Sequence, residues 1–277
     1  MNAPALNIEM PAKMAELFDG PARYRVAFGG RGSGKTRTFA KMAAVMAYNF
    51  ARAGKVGQIL CAREHLNSLE ESSFTEIRSA IEEDPFLSTQ FDIGARYIRT
   101  NCKSIDFTFA GLRTNLESIK SKARILLCWC DEAESITDMA WRTLLPTVRE
   151  ENSEIWVSFN PLDPESSTYE RFVDNPPKNA KVVKCNFSDN PFFPDVLRQE
   201  MENDRARLRP EIFNHVWEGD CLDFQEGAYY RDCILESGKN GRIRQFLDFD
   251  RNVPVVTAWD LGINDSTSIV FAQFIGS

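Results

Sequence analysis

Between Val26 and Phe39 the chain reads VAFGGRGSGKTRTF. Gly29, four further residues, Gly34, Lys35 and Thr36 satisfy the spacing G-x-x-x-x-G-K-[ST]. A loop of this kind needs a strand entering it and a helix leaving it, so the context tests the pattern. RYRVAF, apolar and rich in strand formers, precedes it. The segment after it places Phe39, Met42, Ala43, Met46 and Phe50 at three- and four-residue steps, the period of an amphipathic helix, with Gly54 as its stop. Strand, glycine loop and helix together make this a P-loop and bias the whole chain towards an α/β sheet.

The residue types specify the chemistry. Gly29, Gly30, Gly32 and Ser33, with Arg31 and Gly34 in the same loop, let backbone N–H groups turn inward around a phosphate. The helix N-terminus adds partial positive charge at that point. Lys35 can reach the β- and γ-phosphates and Thr36 can ligate Mg²⁺. The expected ligand is therefore a nucleoside triphosphate with Mg²⁺.

Further apolar runs lie at 58–62, 104–110, 125–130, 154–159 and 181–187, in addition to 24–28. Helix-like stretches at 66–84 and 138–150 fall between them, which suggests a mainly parallel sheet covered on both faces. Residues 191–220 read as two helices, the second starting near Pro210. In ILLCWCDEAE a continuous apolar strand delivers Asp131 and Glu132 at its carboxyl end, where open α/β sheets bind ligands. Asp131 would hold Mg²⁺ and Glu132 would deprotonate an attacking water, an arrangement suited to hydrolysis. Taken alone, the same pair is also what an acidic turn looks like. VSFNP places Asn160 at another strand tip, within reach of a γ-phosphate or water, although Asn-Pro is by itself a common turn.

Composition narrows the class. At 277 residues and 43% hydrophobic content the chain can bury a sizeable core, and no apolar run approaches the ~20 residues of a membrane span. The seven cysteines form no C-x-x-C pair, Cys128 and Cys130 lie in an apolar run as small core residues, and the only histidines are His65 and His215. A zinc site is not expected, and the cysteine usage fits a reducing, intracellular compartment. The net charge of −7 argues against a nucleic-acid binder that uses its whole surface, while leaving room for a local basic patch.

YRVAFGGRGSGKT, ILCARE, LLCWCDEAE, LPTVR, EIWVSFNP, DNPFFPDVLRQEM and HVWEGD occur in this order, and together the chain over roughly 20–220 resembles the large terminase subunit of tailed bacteriophages. The resemblance implies a P-loop ATPase of the additional-strand, catalytic-glutamate class over 1–220, with a C-terminal helical lid. Lys35 and Thr36 then match the phosphate and Mg²⁺ contacts, Asp131 and Glu132 the metal carboxylate and catalytic base, and Asn160 the motif coupling phosphate state to movement. Arg31 matches a loop arginine that neutralises charge on the γ-phosphoryl group; a solvated loop arginine is the plainer meaning. The family hydrolyses ATP to translocate double-stranded DNA, without regard to sequence, in concert with portal protein and small terminase. It works as a ring of copies docked on the capsid, in the host cytoplasm and without a membrane.

Residues 221–253 read as a linker, and 254–277 resemble the first hairpin of the family's ribonuclease H-like nuclease domain. Asp260 matches a nuclease carboxylate for Mg²⁺ or Mn²⁺, with Asp265 a weaker candidate. The later acidic strands are not in the sequence, so this site is expected to be incomplete and the chain inactive as an endonuclease. Arg63, Arg113, Lys120, Lys122 and Arg124 are candidate DNA contacts, and Arg124 is also a candidate for an arginine inserted into a neighbour's site. Two rival readings share the P-loop: a helicase or remodelling ATPase, and a non-catalytic product that binds portal or small terminase. AWDLGINDSTS counts against the first and the intact acidic pair against the second.

Overall fold

The computed structural model describes residues 8–64, 73–113, 123–222, 233, 236–238, 240–243, 249–261 and 267–274. His65, Lys120, Lys122, Asp265, the start of the expected 66–84 helix and much of 221–253 lie outside them. The chain divides into two compact units, Met1–Asp223 and Phe224–Ser277.

The first unit is built on an eight-stranded sheet in the order β3-β4-β5-β2-β6-β7-β1-β8. Its strands are β1 (Tyr24–Phe28), β2 (Gly57–Arg63), β3 (Phe91–Ile93), β4 (Ile98–Thr100), β5 (Ile105–Gly111), β6 (Ile125–Asp131), β7 (Glu154–Phe159) and β8 (Ala180–Lys184). The run from β5 to β8 is parallel, and β3 and β4 form an antiparallel edge that the apolar runs of the sequence do not announce. β7 lies between β1, which leads into the P-loop, and β6, which carries the acidic pair. This is the extra strand that the resemblance implies.

β6 explains the two-sided cover. Leu127 and Trp129 point into a core formed with Phe39, Ala43 and Ala47 of α2 (Lys35–Arg52), with Met14 and Leu17 of α1 (Ala12–Phe18) and with Ile77 of α3 (Ser73–Glu82). Cys128 and Cys130 point the other way, towards Trp141 and Leu144 of α4 (Asp138–Thr147) and Phe172 of α5 (Ser167–Tyr169, running on as a π-turn to Asp174). A strand buried on both faces must be apolar at every position, as 125–130 is. α2 ends as expected: Gly54 takes a left-handed φ of 71° and the Lys55 N–H returns to the Phe50 carbonyl at 2.9 Å.

The helices expected as a lid are α6 (Asp195–Arg207) and α7 (Pro210–Phe213, running on as a π-turn to Glu218). Phe187, Phe193, Met201, Phe213 and Trp217 form its own small core. β8 stops at Lys184, short of the expected 187, because Asn186 and Asp189 form a reciprocal capping box that turns the chain. In the second unit β9 (Val256–Asp260) pairs antiparallel with β10 (Ser268–Ala272), Asp260 opposite Ser268. Among the described residues no helix is long and apolar enough to cross a membrane.

Candidate functional site

The parallel strands β1, β6 and β7 all end on one edge of the sheet, so their C-terminal residues meet there. From β1 the chain enters the glycine loop. Gly29, Gly32 and Gly34 take φ of 142°, 72° and 79°, which residues with a Cβ rarely adopt, and Gly34 caps α2. Lys35 is buried, and its ammonium donates to the Gly29 and Gly30 carbonyls at 2.9 Å each and to Ser33 Oγ at 2.8 Å. Burial lowers its pKa to about 8, against the opposing pull of Cys185 and Asp131.

The loop is not wholly turned towards a ligand. The Gly30 N–H donates to Asn186 Oδ1 at 3.0 Å, and the Arg31 N–H to the Val216 carbonyl at 2.8 Å. Of the donors expected to ring a phosphate over 29–33, the Gly30 N–H is thus spent on the turn after β8, and the neighbouring Arg31 N–H on α7. A Cβ on Gly29 would run into the Cys185 carbonyl, one on Gly30 into that of Trp217, and one on Gly32 into the Phe193 ring. The first turn of α2 keeps leading N–H groups that have no partner within the helix and could meet a phosphate. Asn190 adds a further brace, donating to the Gly32 carbonyl at 2.8 Å.

At the tip of β6 Asp131 is buried and receives four donors. Ser158 Oγ reaches Oδ1 at 2.7 Å and Thr36 Oγ1 the same atom at 3.4 Å; Ser73 Oγ reaches Oδ2 at 3.3 Å, and Arg63 pairs with Oδ2. Glu132 follows in a left-handed backbone conformation, φ 50°, which costs a residue with a Cβ roughly 1–3 kcal/mol. Its carboxylate is exposed, and Oε2 meets Arg63 Nη1 at 3.0 Å. One buried guanidinium thus joins both acids. Arg63 is only 3% exposed, so it is withdrawn as a DNA contact; Arg113 and Arg124 are exposed.

A cleft of about 670 Å³ runs along the loop from Gly30 to Thr38 and includes Arg31, Lys35, Thr36 and Asn160 in its walls. Phe192, Pro194 and Leu197 give it an apolar side, adjoining the first turn of α2, that spacing arguments had no means of finding. Arg31 and Asn160 are both exposed at its surface. The donor set fits Mg²⁺: a hydroxyl and a carboxylate oxygen, Thr36 Oγ1 and Asp131 Oδ1, face each other, and this hard cation takes one or two protein oxygens and completes its shell with water and phosphate. Asp260 ends β9, and among the described residues no group of three or more His, Cys, Asp or Glu is arranged to hold a metal.

The sequence model described as phage terminase large subunit matches residues 21–220. No curated relative matches the chain by sequence. Among solved structures, the large terminase of a thermophilic bacteriophage is similar with a TM-score of 0.67 at 14% identity, over 97% of this chain and 66% of that one. A complex of the same phage protein with ADP gives 0.64 at 14% identity, over 96% and 65%. The ATPase domain of the Thermus phage P74-26 large terminase gives 0.55 at 14%, over 75% and 92%. At these identities the likeness is one of fold, and the chain spans just under two-thirds of the length of the first of these proteins.

Proposed function

Since the chain belongs to the phage terminase large subunit family, we propose that it is the ATP-hydrolysing subunit of a DNA-packaging motor. The observation that carries this is the convergence of Lys35, Thr36, Asp131 and Glu132 at one sheet edge, with Thr36 Oγ1 3.4 Å from Asp131 Oδ1. ADP and ATP-γ-S in complexes of the thermophilic bacteriophage terminase support ATP as the nucleotide.

In this reading Lys35 exchanges its loop carbonyls for β- and γ-phosphate oxygens. Thr36 and Asp131 would hold Mg²⁺, which when bound would neutralise charge on those phosphates. Arg63 fixes the direction of the Glu132 carboxylate, which takes a proton from the attacking water as its oxygen bonds to the γ-phosphorus and the bridging oxygen leaves with ADP. Arg31 and Asn160, both on the cleft wall, contact the γ-phosphate side. Double-stranded DNA is gripped through its phosphates, with Arg113 and Arg124 as exposed candidates. Portal protein, small terminase and further copies of the chain in a ring are the partners, in the host cytoplasm. Residues 1–220 form the ATPase domain with its lid, 221–253 the linker, and 254–277 the opening hairpin of the nuclease domain with Asp260.

Phosphate release from MgATP tests the reading. The wild-type chain should hydrolyse ATP, and Lys35→Ala should fall to background with weakened nucleotide binding. Turnover by Lys35→Ala near the wild-type rate would refute the assignment.

A further inference from the structure

After Glu132 the chain makes a single tight turn, Ala133–Ser135, that carries the half-buried Glu134 towards the segment following β7. That segment begins with Asn160 and Pro161. Proline has no N–H, so the first backbone donors after Asn160 are Leu162 and Asp163. Both donate to the same atom, Glu134 Oε1, at 3.0 and 3.1 Å. The Leu162 carbonyl in turn accepts the N–H of Leu222 at 2.8 Å, and Leu222 is the last described residue before the second unit begins.

We infer that Glu134 is a positioning residue for the ATPase reaction, a strut holding the Asn160 segment against the Glu132 turn and, through Leu162, the exit of the first unit. The inference rests on the ATPase reading above. Three features carry it. A carboxylate taking two backbone N–H groups makes charge-assisted bonds, stronger than neutral ones. Along these bonds Glu132 and Leu222 are joined through one side chain, that of Glu134. Cys221, beside Leu222, has its thiol pushed up to about 11, by burial first and by the Glu134 charge next, which sets that carboxylate close to the exit by a second route.

Other bonds hold the same region together. Thr168 Oγ1 donates to the Ala133 carbonyl and Ser167 Oγ to the Ile136 carbonyl, each at 2.6 Å. Loss of Glu134 therefore releases the strut without removing these anchors, so Glu134→Ala should fold.

The test uses the full chain as wild type, Glu134→Ala and Glu134→Gln. Steady-state ATP turnover, the thermal midpoint and amide exchange of 160–165 and 219–223 are read on each. For Glu134→Ala, kcat should fall on the order of 10–100-fold, the cost of a small misplacement of reacting groups. KM should stay within about twofold, because binding through the P-loop is untouched. Exchange at Leu162, Asp163 and Leu222 should quicken, with the rest of the sheet unchanged. Glu134→Gln keeps an oxygen that accepts both N–H groups and should recover most of kcat. Wild-type kcat in Glu134→Ala, a loss matching only the fall in folded protein, or a glutamine variant as impaired as alanine would overturn the inference while leaving the ATPase reading intact. Absence of turnover in the wild type would bring down both.

Discussion

Lys35 is held by three bonds to its own loop while burial keeps its pKa at about 8. Its ordinary value is 10.5, so between these values the unfolded chain binds a proton that the folded chain does not, and from this group stability rises with pH across pH 8 to 10.5. Nucleotide binding carries the opposite sign. Phosphate favours the charged ammonium, so affinity should be flat below pH 8 and fall above it by up to about tenfold per unit, with proton uptake on binding. Titration calorimetry at pH 7 and 9.5 in buffers of different ionisation heat checks this; an affinity independent of pH would contradict it. Asp131 and Arg63 make a second residue-scale prediction. Both are buried, and Asp131→Asn takes from Arg63 its buried carboxylate partner while the exposed Glu132 stays. Beyond weakening the Mg²⁺ dependence of nucleotide binding, it should lower stability by up to ~3–5 kcal/mol, the cost of breaking a buried pair. Denaturant unfolding with the midpoint unmoved would show the pair to be dispensable.

Among the elements, the contact of loop and lid changes what the glycines mean. Gly34 needs glycine for its backbone, since a Cβ there would meet only ordinary contacts with Asn190 and Pro11, whereas Gly30 needs it because the Trp217 carbonyl occupies the place of a Cβ. Gly30→Ala should therefore cost ~1–3 kcal/mol as an overpacking change and loosen nucleotide binding by shifting loop or lid. Thermal unfolding indistinguishable from wild type would remove this account. The distinction was not legible in GGRGSGK, because the opposing residues lie far along the chain. Lys35, Thr36, Asp131 and Glu132 were legible because fixed spacing and a strand tip are local signals. Arg63 was not: a charge ending ILCAR looks solvated until β2 pairs beside β6 and buries it. Ser158 and Glu134 likewise gain their partners only through the neighbouring of β6 and β7. β3 and β4, three residues each, are too short for any period to emerge. KVVKCNF reads as one strand because the capping box at Asn186 is a local hydrogen-bond choice that the apolar pattern does not reveal.

For the whole molecule, the strand order does the assembling. Placing β7 between β1 and β6 brings the glycine loop, the acidic pair and Asn160 to one edge from positions over a hundred residues apart. The first unit holds all of them together with the lid, so a fragment ending at Asp223 should keep nucleotide binding and the Lys35 pH dependence. A fragment that folds yet fails to bind would place part of the site elsewhere. In the ATPase we propose, the two acids would divide the work: Asp131 would position Mg²⁺ and Glu132 would activate water. The most direct measurement sets Glu132→Gln beside the wild type, with MgATP binding and phosphate release recorded on the same samples. Wild-type-like binding with hydrolysis lowered by ~10²–10⁴, the usual loss with a general base, is the predicted result. A Glu132→Gln protein that binds MgATP and retains most of its turnover would contradict the account.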